Sequence, residues 1–264
     1  MDTLEIHIAG GDVMAERLIR TGRSLVIAWR EALADGPVQP FVDDLFAARS
    51  RFVELAYGAP SGSYQEMVVD PFIELTTRPV QRAHLHFDTD LFCCVNLMFL
   101  ATHLRKVPEL VWTTSAESSP LSLLDRVFLH SCWHAFAQDD PRILEGLIEQ
   151  APVSMRAFLP AMQAHLQRFP STISGMGRPQ EIIDELIDRG IDDDAALISA
   201  FQAIDENRYG WGDLQIRREI EWTRRQREGA SVTRDVGGCV VQSQNPVWQW
   251  DPSGRIIICA DGSS

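Results

Sequence analysis

The sequence predicts an α/β protein whose parallel sheet is followed by a mainly helical region. Short apolar runs alternate with helical patterns over the first half of the 264 residues, and the connections between them are short. The second half instead has the periodicity of successive amphipathic helices and ends in strand-like runs. We therefore expect a Rossmann-like domain in residues 1–120 and a helical domain in residues 121–264.

Four apolar runs are the predicted strands of the first domain. They cover residues 4–9, 24–29, 83–87 and 109–114. Helices are expected over residues 13–20, 41–57, 64–76 and 90–104, and Asp12 is a natural N-cap for the first of them. Residues 115–120 are expected to form a loop. The segment that follows the second strand is expected to turn outward at Gly36-Pro37.

Successive helical patterns fill the second domain, which ends in a predicted β-hairpin. The helices cover residues 122–137, 142–150, 154–168, 179–188, 194–206 and 213–227. The hairpin joins residues 239–241 and 247–250 to residues 255–259. Three helices followed by a hairpin have the layout of a winged helix, yet the acidic residues of segment 192–206 would repel phosphate. Protein–protein docking is therefore the expected use of this domain.

Composition narrows the classes of function. The chain carries 24 Lys and Arg against 37 Asp and Glu, and this net charge of -13 argues against a general nucleic-acid binder. No apolar run is long enough to span a membrane, and acidic Asp2 and Glu5 stand where a signal peptide needs basic residues. Five cysteines without C-x-x-C spacing favour reduced thiols over disulfides or a zinc module. A cytoplasmic protein is expected.

The candidate site lies where the predicted strands end. In a parallel sheet, ligands bind beyond the carboxyl ends of the strands, at the point where the strand order reverses. Polar and aromatic residues follow three of the four strands, and Asn96 lies in the helix behind them. The predicted ligand-binding residues are Gly11, Asp12, Trp29, Arg30, Glu31, Asp88, Asp90 and Asn96.

Two interpretations of Asp12 and Arg30 stay open. Gly10-Gly11-Asp12 could receive phosphate at a helix N-terminus, although Ala15 occupies the third glycine position of the dinucleotide fingerprint. The alternative is a helix cap after a tight glycine turn. A Gly-Asp-Ser nucleophile is missing because Val13 follows Asp12. Arg30 could bind a carboxylate or phosphate of a ligand, with the Trp29 ring stacked on a planar group, or it could hold an acidic side chain of the same edge.

Histidines near the candidate site also have two interpretations. His84, His86, Asp88 and Asp90 alternate along an extended chain, and such a row could hold a divalent metal. The alternative places His84 and His86 among core side chains and makes Asp90 the N-cap of the next helix. We predict no metal. His130 and His134 are expected to be a packed or surface pair, because a zinc protease would need Glu where Ser131 stands.

Several of these segments together resemble the bacterial family known as domain of unknown function 1835. The matching residues are Gly11, Asp12, Trp29, Arg30, Gly36, Pro37, Asp88, Asp90, Leu91, Phe92 and Asn96. Glu31 stands where the family more often has Asp, and His86 stands where an aromatic residue is commoner. The resemblance covers about the first half of the chain; the second half resembles the uncharacterised domain that commonly accompanies this family. It supports the fold and the site and implies no reaction.

The sequence thus predicts a protein that binds a small polar ligand, phosphorylated or nucleotide-like, at the carboxyl edge of the sheet. The residues do not decide whether it is an enzyme, and no cofactor is assigned. The alternative is a non-enzymatic regulatory or adaptor protein. In that case the acidic edge is an ion-paired scaffold, and the helical domain docks a protein partner or a second copy of the chain.

Overall fold

A computed structural model describes residues 4–205, 208–229, 248–251, 253 and 255–258. The strands are β1 (Glu5–Gly10), β2 (Val26–Trp29), β3 (Arg82–His86), β4 (Glu109–Thr113), β5 (Ser118–Pro120), β6 (Trp248–Trp250) and β7 (Ile256–Ile258). The α-helices are α1 (Asp12–Arg20), α2 (Val42–Tyr57), α3 (Asp70–Thr77), α4 (Leu91–His103), α5 (Leu123–Ala137), α6 (Pro141–Glu149), α7 (Leu159–Leu166), α8 (Arg178–Asp188), α9 (Asp194–Asp205) and α10 (Asp213–Arg227). A π-helical turn (Gln65–Val69) precedes α3, and a 3-10 segment (Val153–Phe158) precedes α7.

The main sheet confirms the predicted α/β fold. Its strand order is β2-β1-β3-β4-β5, and the first four strands are parallel. The prediction of a loop over residues 115–120 is wrong, because β5 pairs antiparallel with β4 at the edge of the sheet. Its short, exposed sequence, Ser-Ser-Pro, carries no strand signal. The turn between the two strands is closed by the Thr114 N–H, which donates to the Glu117 carbonyl at 2.8 Å.

The two faces of the sheet are covered differently. Ile6 and Ile8 of β1 belong to the large core, which includes buried residues of α2, α3, α4 and α5. On the other face Ala9 packs against Ala15 and Leu18 of α1. Helix α4 is apolar on all sides, and its residues from 94 to 102 are all buried. Such a helix forms the centre of a fold rather than its surface.

Within the described residues, one continuous cluster of buried side chains spans both halves of the chain. It extends from Ile6 in β1 through Phe99 in α4 and Trp133 in α5 to Ile256 in β7. The cluster crosses the expected boundary at residue 120, and the division into two domains stays a prediction. None of the described helices has the length and apolar character that crossing a bilayer would require.

The predicted hairpin at the end of the chain is present as the antiparallel pair β6 and β7. Its predicted first part, residues 239–241, lies outside the described residues. The Trp250 N–H donates to the Pro170 carbonyl at 3.1 Å, and the Ile256 N–H donates to Glu145 of α6 at 3.0 Å. The hairpin is therefore anchored to the α6–α8 part of the helical region, and the winged-helix interpretation stays a prediction.

Candidate ligand-binding edge of the sheet

The strand order places a crevice between β1 and β3. The chain leaves β1 through α1 on one face of the sheet and enters β2 on one side of β1. It then returns through α2 and α3 on the opposite face to β3, on the other side of β1. Because the connections diverge here, the carboxyl ends of β1 and β3 have the geometry of a ligand site in α/β sheets.

Gly11 opens this edge at the start of α1. It has φ 89° and ψ 176°, a conformation that favours glycine, and its N–H donates to the Ala9 and Trp29 carbonyls at 2.8 and 2.9 Å. The prediction of Asp12 as N-cap is wrong: Gly11 is the N-cap, Asp12 is the first helical residue, and no side chain caps the first turn. A Cβ built on Gly11 would have no neighbour within 4 Å among the described residues. This end of α1 is therefore open.

Asp12 and Arg30 form an ion pair across the edge. The Arg30 Nε lies 2.9 and 3.1 Å from the two carboxylate oxygens of Asp12, and its Nη2 lies 2.6 Å from Oδ1. The Arg30 side chain is 32% exposed, and the Asp12 side chain is 60% exposed. This geometry confirms the interpretation in which Arg30 holds an acidic side chain of the edge. The pair explains why Asp12 does not cap its own helix.

Asp88 joins the ends of β3 and β4. It is half-buried, and its Oδ1 accepts a hydrogen bond from the Ser115 N–H at 2.7 Å. Its Oδ2 has no hydrogen bond within the described part of the chain. Asp88 thus stays on the accessible side of the sheet edge, with one carboxylate oxygen available.

Glu31 lies inside the protein, which corrects its placement on the ligand-facing edge. It is 1% exposed, and its Oε1 accepts from Nη2 and Nε of Arg49 at 2.7 and 3.1 Å and from the Ala32 N–H at 2.8 Å. The Tyr64 hydroxyl donates to Oε2. Burial, together with the adjacent Glu31 carboxylate, raises the pKa of Tyr64 well above its usual value.

The partner of Glu31 was not identified from the sequence. Arg49 is fully buried in α2, one turn after Leu45, which is also buried. The available signal was an arginine at a position where the helical pattern requires an apolar side chain. A cation at such a position needs an internal carboxylate. Glu31 supplies it.

Trp29 and Asn96 also face the interior, which corrects their assignment to ligand contact. The Trp29 indole N–H donates to Asn96 Oδ1 at 2.8 Å, and the ring lies 5.6 Å from that of Phe99. The Asn96 amide group donates to the carbonyls of Glu31 and Phe92 at 3.0 and 2.9 Å. Both side chains are buried, so the Trp29 ring has no free face for a ligand.

Asp90 is the N-cap of α4, as the alternative interpretation predicted. Its side chain accepts from the Cys93 N–H at 2.8 Å and is 7% exposed, and burial raises its pKa. The N–H groups of residues 91 and 92 donate to the carbonyls of Arg208 and Tyr209 at 2.9 and 3.1 Å. The chain itself therefore occupies the N-terminus of α4, and Asp90 does not reach the open edge.

The segment after β2 turns inward, contrary to the expected outward turn at Gly36-Pro37. Residues 33–37 are all buried. Arg168 donates to the Ala34 carbonyl at 2.7 Å, and Arg218 of α10 forms an ion pair with Asp35 at 2.6 Å. Arginines from distant parts of the chain bind this segment, and the local turn signal cannot reveal them. The helical region consequently covers the carboxyl end of β2.

The histidine row lies on the α1 face of the sheet. His86 Nε2 lies 2.9 Å from Nδ1 of His7, and the rings of His7 and His84 stack with centroids 4.6 Å apart. His7, which the sequence interpretation missed, is the β1 neighbour of His84. Burial and the neighbouring rings lower the pKa of His7 and His86 to about 4. Asp88 and Asp90 do not join this row, because they bind the N–H groups named above.

Metal-ligand geometry is absent from the described residues: no group of three His, Cys, Asp or Glu side chains there could hold a metal ion. His130 and His134 contact each other through their rings, with centroids 4.5 Å apart on α5. This confirms that they form a packed or surface pair.

Together, these observations define the class of protein: an α/β protein with a mostly parallel sheet, whose helical region covers part of the carboxyl edge and leaves the part between β1 and β3 open. No protein family, curated protein or solved structure matches the chain. The resemblance to the domain of unknown function 1835 family therefore stays a prediction.

Proposed function

We propose that the chain binds a small polar ligand with a phosphate or nucleotide-like group in the crevice between β1 and β3. The observation that carries the proposal is the reversal of strand order at β1, with an uncapped helix at the same point. The proposal concerns binding and includes no reaction. The residues assigned to it are Gly11, Asp12, Arg30 and Asp88.

The start of α1 supplies the contacts for an anionic group. The first N–H groups of a helix have no partner within the helix, and no described side chain occupies them in α1. These groups and the helix dipole favour a phosphate or carboxylate. The absence of a Cβ at Gly11 lets such a group approach the backbone closely.

The ion pair between Asp12 and Arg30 makes this position compatible with an anion. An unpaired carboxylate on the first residue of α1 would repel phosphate, and Arg30 neutralises it at 2.6 Å. A guanidinium has five N–H donors. Nη1 of Arg30 has no hydrogen bond within the described residues, so it can bind a ligand oxygen while the pair remains intact.

Asp88 supplies an acceptor on the other side of the crevice. Its free Oδ2 can accept a hydrogen bond from a sugar hydroxyl, the contact that an acidic residue makes to ribose in dinucleotide-binding sheets. Its Oδ1 is fixed by the Ser115 N–H, which limits the rotation of the carboxylate. An anionic group at α1 and a hydroxyl at Asp88 together describe a phosphorylated sugar or a nucleotide.

A thermal-shift and calorimetric titration with pyrophosphate, AMP and glucose 6-phosphate tests the proposal. A ligand at a hundredfold excess over its Kd stabilises the folded state by about 2.7 kcal/mol. For a chain of this size that corresponds to a rise in Tm of about 5–10 °C. Arg30→Gln and Asp88→Asn should weaken the binding at least tenfold while leaving the unliganded Tm within about 2 °C, because both side chains are partly exposed.

Arg20→Gln is the matched control, because Arg20 is exposed at the far end of the same helix and its loss changes the net charge equally. It should retain the full response. Absence of stabilisation by all three compounds would overturn the proposal, and so would equal weakening by Arg20→Gln and Arg30→Gln, which would indicate an effect of net charge alone.

A second candidate function is docking of a protein partner through the helical region. It is favoured by three apolar side chains on the first turns of α5: Leu123, Leu124 and Val127 are 80%, 64% and 53% exposed. Adjacent exposed apolar residues commonly mark an interface. Sedimentation velocity of the wild type and of the Leu123→Ser/Leu124→Ser variant tests self-association. A wild-type monomer at all concentrations would exclude the second copy as the partner.

We further propose that the protein works in the cytoplasm. Cys93, Cys94 and Cys132 are free thiols, and such thiols persist in a reducing compartment. Acid quenching of intact cells, followed by alkylation of the denatured protein and mass spectrometry, should find these cysteines reduced. Finding them oxidised would contradict this location.

A further inference from the structure

A groove on the β4–β5 side of the sheet has a different chemical character from this crevice. It has a volume of about 340 Å³ and lies between β4–β5 and the 3-10 segment that precedes α7. Trp112, Leu121 and Met155 give it apolar walls, and all three are almost completely buried. The volume is at the lower end of the range found for small-molecule sites, about 300–1,000 Å³.

Two acidic residues line the groove, and Asp125 is the buried one. Asp125 is 3% exposed. Its Oδ2 accepts from the N–H and the hydroxyl of Ser122 at 2.8 and 2.7 Å, and its Oδ1 accepts from the Ser154 hydroxyl. A carboxylate has about four acceptor sites, so Oδ1 retains one. Among the described residues, Asp125 forms no ion pair.

A buried carboxylate without a cation is a costly arrangement. The first turn of α5 offsets part of the cost, because the positive end of the helix dipole faces Asp125 and a capping box holds it there. The helix dipole contributes about half an elementary positive charge, which is less than the full negative charge of the Asp125 carboxylate. The other charged residues of the groove, Glu117 and Arg156, are exposed and opposite in sign. The groove therefore has a net negative charge, which resides at Asp125.

We propose that this groove binds a small primary amine with an apolar or aromatic body, whose ammonium group donates a hydrogen bond to Asp125 Oδ1. The ammonium supplies the missing cation and fills the remaining acceptor site. The body of the ligand contacts Leu121, Met155 and the edge of the Trp112 ring, all of which line the groove. This binding is independent of the ligand proposed for the crevice between β1 and β3.

The test is a calorimetric titration of the full chain with butylamine, phenethylamine and tyramine. Toluene and 4-ethylphenol serve as neutral probes that keep the aromatic body and lack the amine. At least one amine should bind, and its affinity should exceed that of the corresponding neutral compound at least tenfold. Asp125→Asn should remove this preference, because the amide keeps the shape of the side chain and loses the charge.

Two further variants separate the groove from general charge and folding effects. Ala157→Trp fills the groove from an exposed position and leaves Asp125 in place, so it should weaken amine binding at least tenfold even if Asp125→Asn fails to fold. Asp213→Asn removes an exposed first-turn carboxylate from α10, with the same change in net charge, and should bind as the wild type does. No binding by any amine, or undiminished binding by Ala157→Trp, would overturn the proposal.

Discussion

The buried ion pair between Glu31 and Arg49 provides the sharpest prediction of stability. The two side chains are 1% and 0% exposed, and Nη2 of Arg49 lies 2.7 Å from Oε1 of Glu31. Arg49 also donates to the Asp35 and Ala32 carbonyls, so one guanidinium organises the segment after β2. Replacing Arg49 by Met keeps most of its volume and removes the charge together with all of these hydrogen bonds.

The expected loss of stability in Arg49→Met depends on the Glu31 carboxylate, which stays buried without its cation. Removal of one partner of a buried pair leaves an uncompensated charge and costs about 3–5 kcal/mol. Arg49→Met should therefore lower the free energy of unfolding by about that amount, which corresponds to about 6–20 °C in Tm for a chain of this size. The double variant Glu31→Gln/Arg49→Met should recover part of the loss, because it removes the orphaned carboxylate.

Urea denaturation followed by circular dichroism measures these differences. Arg225→Met is the matched control, because Arg225 pairs with Glu221 on the surface of α10 and both side chains are about 60% exposed. That substitution should cost less than about 1 kcal/mol. A loss for Arg49→Met no larger than that for Arg225→Met would refute this role of the pair, and so would a double variant less stable than Arg49→Met alone.

Three further predictions follow from individual contacts. First, His7 and His86 have a pKa of about 4 in the folded chain and about 6.5 unfolded, so the unfolded state binds more protons between these values. Each of the two histidines should lower the stability by about 2–3 kcal/mol from pH 6.5 to pH 4, and a flat profile in denaturation experiments would contradict this. Second, Gly36 and Gly190 share φ 86°, but only at Gly36 would a Cβ overlap side chains of α2. The alanine variant should therefore have a lower Tm at Gly36 than at Gly190, and equal values would contradict the overlap. Third, Asn96→Leu strands the Trp29 indole N–H and the Glu31 carbonyl and should cost about 2 kcal/mol or more in urea denaturation. A cost below about 1 kcal/mol would argue against the buried network.

The fold was predictable because hydrophobic patterns are local. Buried parallel strands are continuous apolar runs, and all four were identified within one or two residues of their observed bounds. The short strand β5 was missed because its three exposed residues, two serines and a proline, depend on pairing with β4 for their conformation. Register and pairing are tertiary properties, and a three-residue segment carries no periodicity that could reveal them.

The candidate site was predictable only in part. The end of a strand gives the position of a residue at the sheet edge, but it does not give the direction of its side chain. Asp12, Arg30 and Asp88 lie at the open edge, whereas Glu31 and Asp90 follow strands equally closely and are buried. What distinguishes them is the presence of long-range partners. Arg49 binds Glu31 from helix α2, and the chain near residue 210 packs against Asp90. A single sequence contains no direct signal for such contacts.

The central claim is that the open edge between β1 and β3 is where a ligand binds. The most direct measurement is a titration of the ¹⁵N-labelled protein with AMP, followed by amide chemical shifts. If a ligand binds there, the largest shifts should occur at the start of α1 and beside Asp88, at the amides of Gly11, Asp12, Val13 and Ser115. Shifts that are absent from these amides, or that concentrate elsewhere in the chain, would contradict it.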